Sequence, residues 1–201
     1  MESNLSLPPQ VDPEQIDGFA HVLLSWKSLM AFLKGRGDSS ANRICYVDGV
    51  LELMSPSVNH ELIKKNLARL VEHWAMQTDT DLRGFGSWTL KSARSKTAAE
   101  PDECYVVGPR GRRLTPDIVI EVKWTGGGIE KLAAYQRLRI AEVWLWDRGQ
   151  VTPYLLKNGA YRAAASSVLV PELDFKLLSK FSMREDQLQA AKQFVASLRG
   201  H

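Results

Sequence analysis

Residues 101–123, PDECYVVGPRGRRLTPDIVIEVK, contain the stretch that decides the fold. Two apolar runs at 103–107 and 118–122 are separated by a segment rich in glycine, proline and arginine, a pattern that predicts an antiparallel β-hairpin. If the strands pair about the middle of that segment, equal numbers of residues place position 102 opposite position 121. The hairpin therefore predicts that the carboxylates of Asp102 and Glu121 are neighbours.

Lys123 adds an amine to this pair. It lies two residues beyond Glu121, so the two side chains project from the same face, roughly 7 Å apart along the strand. Carboxylates brought this close repel each other when ionised, unless the lysine or a divalent cation compensates their charge. Mg²⁺ suits such a site because it prefers oxygen ligands and keeps some of its water.

Asp117 is the alternative to Asp102, because it also follows a proline. It shares the strand face of Glu121 but lies roughly 13 Å from it along an extended strand, which is too far for one metal ion. We therefore favour Asp102 and keep Asp117 as a secondary candidate.

The remaining chain indicates an α/β domain with a mixed central β-sheet flanked by helices. An arm is expected at 1–20 and a single domain at 21–201, a length that can bury an adequate core. Asp48-Gly49 is a favoured pair for a tight turn and predicts a first hairpin. Helices are predicted at 24–34, 59–76, 129–138 and 183–198, strands at 44–47, 50–54, 85–90, 143–146 and 151–156, and a loop at 91–100.

Composition excludes few classes of function. The formal net charge of +3 is only mildly basic and does not by itself establish a nucleic-acid partner. No apolar run approaches the ~20 residues that span a bilayer, and the N-terminus lacks the order of a signal peptide, so we expect a cytoplasmic protein with no membrane partner. Neither Cys45 nor Cys104 has the spacing of a zinc or redox pair.

Pro101-Asp102 followed by Glu121-Val122-Lys123 resembles the PD-x(n)-ExK signature of the PD-(D/E)XK nuclease superfamily. Within that superfamily the chain resembles the Uma-two family of restriction endonucleases, which implies a restriction-endonuclease-like core. The matching stretches are YVDGVLELMSPSVNHE at 46–61, GSWTLK at 86–91, EPDECYVV at 100–107, TPDIVIEV at 115–122 and KLAAYQRLRIAEVWLWD at 131–147.

The resemblance implies roles for particular residues. Asp102 and Glu121 would bind Mg²⁺ or Mn²⁺, and Lys123 would orient the attacking water and stabilise charge on the phosphate. Glu61, at the start of the helix predicted at 59–76, would complete the metal site, while its neighbour His60 matches a position typical of the family. Neighbouring helical residues point about 100° apart, so at most one of these two is expected to reach the metal.

The function that the resemblance implies is a metal-dependent endonuclease that hydrolyses DNA phosphodiester bonds. Lys91, inside the matched GSWTLK stretch, is a candidate for contacting DNA, and a homodimer is expected because cutting both strands commonly needs two sites. The alternative is a catalytically inactive nucleic-acid-binding or protein-interaction module on the same fold. On that alternative Asp102 merely begins a strand, and Glu61 stabilises a helix N-terminus.

Overall fold

Two β-sheets with helices packed against them make up the described part of the chain. The computed structural model describes residues 16–37, 42–109, 111, 114–125 and 131–198. The helices are α1 (Trp26–Arg36), α2 (Val58–Gln77), α3 (Lys131–Leu138), α4 (Phe175–Ser182) and α5 (Gln187–Leu198). The strands are β1 (Gly18–Leu23), β2 (Arg43–Val47), β3 (Val50–Ser55), β4 (Leu82–Gly84), β5 (Leu90–Ser92), β6 (Thr97–Ala99), β7 (Glu103–Val107), β8 (Ile118–Lys123), β9 (Glu142–Asp147), β10 (Gln150–Lys157) and β11 (Ala160–Ala163).

The six-stranded sheet has the order β11-β10-β9-β8-β7-β4, and β8 and β9 are parallel while the other neighbours are antiparallel. Helix α3 joins these two parallel strands, as a crossover between parallel neighbours requires. The predicted mixed sheet flanked by helices is therefore confirmed. None of the helices within the described ranges is long and apolar enough to cross a membrane.

The hairpin of β7 and β8 has the predicted register. Glu103 pairs with Ile120 and Tyr105 with Ile118. The same register, extended by one residue beyond the end of β7, sets Asp102 opposite Glu121. Strand β8 lies between β7 and β9 inside the sheet, and five of its six residues are buried. The carboxylate of Glu121 on this strand therefore lies in the protein interior rather than at an open edge of the sheet.

Helix α2 is the longest helix in the described ranges, and Ser57 caps its N-terminus by accepting a hydrogen bond from the backbone N–H of His60. Its buried face packs in one apolar cluster with residues of β8 and β9, including Leu67 on the helix and Ile120 and Trp144 on the strands. This packing fixes the helix start close to the end of β8.

Helix α3 packs in a second apolar cluster that both sheets share. Ala134 and Tyr135 of the helix meet Cys45 of β2 and Val119 of β8 there. The helix is thereby held between the sheets, and its first turn lies near the C-terminal half of β8. The predicted start at 129 lies outside the described residues.

The five-stranded antiparallel sheet, with the order β1-β3-β2-β6-β5, was not predicted. It contains the predicted hairpin of β2 and β3, but the strand expected at 85–90 is wrong, because strands occupy 82–84 and 90–92 instead. The loop expected at 91–100 contains β6. Strands of three residues are too short to show the alternation on which strand prediction depends.

Residues 18–20 of the expected arm belong to β1, and residues 1–15 lie outside the described ranges.

The helix predicted at 183–198 begins only at Gln187, because a break at 183–186 separates α5 from α4, which ends at Ser182. The side-chain amide of Asn66 donates hydrogen bonds to the carbonyl oxygens of Ser182 (2.9 Å) and Arg184 (2.8 Å), which satisfies backbone groups at the break. Asp186 then accepts a hydrogen bond from the Gln189 N–H at 3.0 Å, as an N-terminal cap does. The break thus depends on α2, which sequence periodicity does not reveal.

Leu67→Ala tests the packing that fixes α2 against β8. Leu67 is fully buried, so we expect its truncation to lower the free energy of unfolding by about 2–5 kcal/mol. Met76→Ala, at an exposed position of the same helix, is the matched control and should change it by less than about 0.5 kcal/mol. Urea denaturation measures both values, and equal effects would contradict the described packing.

Candidate active site

Asp102 and Glu121 stand side by side at the open end of the β7–β8 hairpin. Both side chains are almost completely buried. Asp102 Oδ2 accepts a hydrogen bond of 2.8 Å from the backbone N–H of Val122, which follows Glu121 on β8. The structure thus brings together the two carboxylates that the hairpin predicts to be neighbours.

The partners of Glu121 come from α3. The Lys131 ammonium nitrogen lies 2.6 Å from Glu121 Oε2, and the Tyr135 hydroxyl donates a hydrogen bond to Oε1. Residues four apart share one face of a helix, so the lysine and the tyrosine reach the same carboxylate together. Helix α3 therefore supplies an ammonium ion to the acidic pair.

A histidine and a further acid lie on the other side of Asp102. His60 Nε2 lies 3.1 Å from Asp102 Oδ1, and His60 Nδ1 lies 3.2 Å from Asp17 Oδ2. Arg43 Nε is farther away, 3.9 Å from Asp102 Oδ1. The fully buried imidazole thus bridges two carboxylates. The contact with Asp102 has the distance of an ion pair but not the alignment of a hydrogen bond.

The two carboxyl groups differ in proton affinity. Burial alone would raise the pKa of Asp102, but the charges of Lys131 and His60 outweigh it and hold that pKa well below its usual range. Burial raises the pKa of Glu121 to about 7, and the charge of Asp102 adds to this effect against the opposing influence of Lys131. Asp102 is therefore the permanently ionised acid, and Glu121 titrates near neutral pH.

The two basic groups of the cluster hold their protons tightly. Burial would lower the pKa of Lys131, but the charges of Glu121 and Asp102 raise it above its usual value. Burial also lowers the pKa of His60, yet Asp102 and Asp17 together raise it to about 9. At neutral pH the cluster therefore contains an ammonium and an imidazolium ion.

A cavity of about 500 Å³ gives access to one side of this cluster. Its apolar wall comes from both sheets, with Phe19 and Met54 on one and Leu145 and Tyr154 on the other. The charged residues on its wall are Asp17, Glu52, Glu121, Lys123, Lys131 and Asp147. A ligand in the cavity would thus contact Glu121, Lys123 and Lys131, whereas Asp102 is not among the residues that line the cavity.

The other predicted site residues are placed differently. Lys123 lines the cavity but is half exposed, with its ammonium nitrogen 3.8 Å from Asp147. The Glu61 carboxylate lies 2.5 Å from Lys64 and 3.8 Å from Arg43, and the Arg43 guanidinium also lies 3.9 Å from Asp102. Of the two neighbours at the start of α2, His60 and not Glu61 faces Asp102.

Two secondary candidates lie away from the acidic pair. Asp117 precedes the opposite end of β8, where its Oδ2 accepts a hydrogen bond of 2.9 Å from the Val107 N–H. Lys91 is exposed on β5, one of the two edge strands of the five-stranded sheet. Neither residue is among those that line the cavity.

Sequence reasoning missed Asp17, Lys131 and Tyr135. The spacing of Lys131 and Tyr135 on a predicted helix was a usable signal, because it sets both on one face. No local pattern marks Asp17, because β-pairing of distant segments brings it to the start of α2. A search for motifs within one hairpin could not find these residues.

The oxygen donors fit a hard divalent cation. Mg²⁺ is commonly bound through one or two carboxylates and keeps several waters, so Asp102 and Glu121 suffice as protein ligands. Asp102 Oδ1 is buried and accepts no aligned hydrogen bond, although His60 Nε2 lies 3.1 Å from it, so an ion bound there would share this oxygen with the imidazole. Within the described ranges no group of three or more His, Cys, Asp and Glu side chains forms a metal cluster, so water must supply the remaining ligands.

The raised pKa of His60 predicts a pH-dependent contribution to stability. A histidine whose pKa rises from 6.5 to about 9 on folding stabilises the fold fully below pH 6.5 and loses that effect as the pH rises through 9. We expect the stability difference between the wild type and His60→Gln to shrink by up to about 3 kcal/mol between about pH 6 and pH 10. Urea denaturation across this range measures it, and His73→Gln in the same helix is the control. A difference that does not change with pH would contradict the charged imidazole.

Comparisons with known proteins place the chain in a family. The model of the Uma2 family, described as "Putative restriction endonuclease", matches residues 29–183. A crystal structure of "a putative nuclease belonging to DUF820" from Anabaena variabilis has a similar fold, with a TM-score of 0.53 and 17% sequence identity over 77% of this chain and 98% of the other. No curated protein matches the chain. With most of its length matched, the chain belongs to the Uma2 family of restriction-endonuclease-like proteins.

Proposed function

We propose that the protein is a divalent-cation-dependent endonuclease that hydrolyses DNA phosphodiester bonds. The observation that carries this proposal is the buried pair of Asp102 and Glu121, with the Lys131 ammonium 2.6 Å from Glu121 at the wall of a cavity. Two adjacent acids and an amine are the groups that metal-assisted phosphodiester hydrolysis needs. The family to which the chain belongs supports the same class of reaction.

Asp102 and Glu121 are the proposed ligands of Mg²⁺ or Mn²⁺. A bound ion would supply the positive charge that polarises a phosphodiester oxygen. Asp102 contributes a carboxylate that stays ionised, because its pKa lies well below the usual range. The Val122 N–H holds Oδ2 in place, and Oδ1 lies 3.1 Å from His60 Nε2.

Glu121 is the proposed ligand that faces the cavity. Burial raises its pKa to about 7 in the protein without an ion, and a bound cation would favour the ionised carboxylate that coordination needs. The Tyr135 hydroxyl fixes Oε1, which leaves Oε2 facing Lys131 and the cavity.

The sequence analysis expects Lys123 to stabilise charge on the phosphate, and we propose that two lysines share this role. Lys131 touches Glu121, so we propose that its ammonium orients the phosphate and stabilises the charge that develops on it. Lys123, half exposed on the cavity wall, is proposed to bind an adjacent phosphate. Lys91 remains a proposed contact with DNA outside the cavity, and a homodimer remains the proposed arrangement for cutting both strands.

One observation favours a second function. The acids of the cluster already have positive partners, with Lys131 at Glu121 and His60 at Asp102, so their charge is compensated without a metal ion. A catalytically inactive nucleic-acid-binding module would have the same arrangement. Salt-sensitive binding of DNA without metal-dependent cutting would distinguish it from a nuclease.

Substitutions at the acidic pair test the nuclease proposal. We expect Asp102→Asn, Glu121→Gln and Lys131→Met each to slow Mg²⁺-dependent or Mn²⁺-dependent cleavage of plasmid DNA by about 100-fold or more, because each removes several kcal/mol of charge stabilisation. Lys123→Ala should have a smaller effect, about 10-fold, since this side chain is half exposed. Gel assays of plasmid conversion over time measure the rates.

Asp117→Asn is the matched control. It alters an acid that also follows a proline, but one outside the cavity, and should keep the cleavage rate within about threefold. Cleavage that is equal in the wild type and all variants would indicate a contaminating nuclease. Loss of activity in Asp117→Asn with full activity in Asp102→Asn would contradict the proposed site.

A further inference from the structure

Asp17 enters the site from a segment that the family match does not cover. The match begins at residue 29, whereas Asp17 directly precedes β1. Strand β1 pairs with β3 over six residues, from Gly18 opposite Ser55 to Leu23 opposite Val50. This pairing carries Asp17 past the end of β3 to the N-terminus of α2.

Three contacts hold Asp17 in place. Its backbone N–H donates to Thr125 Oγ1 at 3.2 Å, and its Oδ1 accepts from the Ser57 N–H at 2.9 Å. Its Oδ2 lies 3.2 Å from His60 Nδ1. The Asp17 side chain is only 1% exposed, so these protein groups and not water satisfy the carboxylate. Burying a carboxylate costs free energy because it loses its hydration, unless contacts such as these compensate that loss.

His60 carries the effect of Asp17 to the acidic pair. The imidazole ring has two nitrogens on different sides, and each of them faces a carboxylate, Asp17 at 3.2 Å and Asp102 at 3.1 Å. A contact at one nitrogen fixes the rotation of the ring, and thereby the position of the other nitrogen. Asp17 thus determines where His60 Nε2 lies relative to Asp102 Oδ1, the oxygen that accepts no aligned hydrogen bond.

We propose that Asp17 is a positioning residue of the active site, which orients His60 and through it the metal-binding carboxylate of Asp102. This inference rests on the proposed function of Asp102. Some residues contact a metal-binding carboxylate without touching the metal ion. Substituting such a residue generally lowers metal affinity or activity by about 10–100-fold. The segment before the family match would therefore be required for a complete site.

A purely structural role for Asp17 is the competing explanation, because its contact with the Ser57 N–H also caps α2. The two roles differ in what they affect. A cap contributes to folding stability alone, whereas a positioning residue affects Mn²⁺ affinity and cleavage in protein that is fully folded. It must also act through His60, so the effects of the two residues cannot be additive.

The experiment compares Asp17→Ala, His60→Ala and the double variant in the full chain. Isothermal titration calorimetry with Mn²⁺ gives the affinity, plasmid cleavage gives the rate, and thermal unfolding gives the stability. We expect Asp17→Ala to weaken Mn²⁺ binding and to slow cleavage by about 10-fold or more, and the double variant to be no worse than His60→Ala. Asp17→Asn has one acceptor oxygen in place of two, so it can accept from the Ser57 N–H or from His60 Nδ1 but not from both, and its effect should not exceed that of Asp17→Ala.

Asp174→Ala is the control for a lost helix cap. Asp174 caps α4 through the backbone N–H groups of Lys176 and Leu177, outside the cavity wall, so this variant should lower the melting temperature without weakening Mn²⁺ binding. If Asp17→Ala does not fold, Asp17→Ser replaces it. Its hydroxyl is one bond too short to reach His60.

The outcomes separate this inference from the proposed function. Unchanged Mn²⁺ affinity in folded Asp17→Ala, or additive losses in the double variant, would overturn the role of Asp17. A wild type that binds Mn²⁺ but does not cut DNA would refute the nuclease and still allow the Mn²⁺ titrations to decide on Asp17. A wild type that does neither would refute both.

Discussion

The close approach of two buried carboxylates, Asp102 and Glu121, is the constraint on which the rest of the site depends. Two adjacent negative charges in a protein interior are unstable without positive partners or a proton. The structure meets this requirement from two sides, with Lys131 at Glu121 and His60 at Asp102. The same requirement makes the pair a natural receptor for a divalent cation, which would add positive charge where the acids meet.

The two-sheet architecture positions the residues that contact Asp102 and Glu121. The six-stranded sheet supplies the acids through β7 and β8, and α2 and α3 bring His60 and Lys131 to them. The five-stranded sheet closes the site through β1, which sets Asp17 against His60. Because both sheets also form the wall of the cavity, access to Glu121 depends on how they pack around α3.

The hairpin was predictable because its two strands follow each other in the chain and are separated by one segment rich in glycine, proline and arginine. The proximity of Asp102 and Glu121 was therefore predictable from the sequence, and so was the mixed sheet. The lysine at Glu121 was not found, since Lys123 fits the linear motif while Lys131 reaches the acid only after α3 folds back onto β8. Which of Glu61 and His60 faces Asp102 likewise depends on the rotation of α2 about its axis. The packing of the apolar face of α2 determines that rotation.

The central claim is that Asp102 and Glu121 share one divalent cation. Anomalous diffraction at the manganese absorption edge, from crystals of the protein grown with Mn²⁺, tests it most directly. The account predicts a single anomalous peak within coordination distance of both carboxylates, about 2.0–2.3 Å from an oxygen of each. A map with no peak there, in which Lys131 still contacts Glu121 and His60 still contacts Asp102, would contradict it.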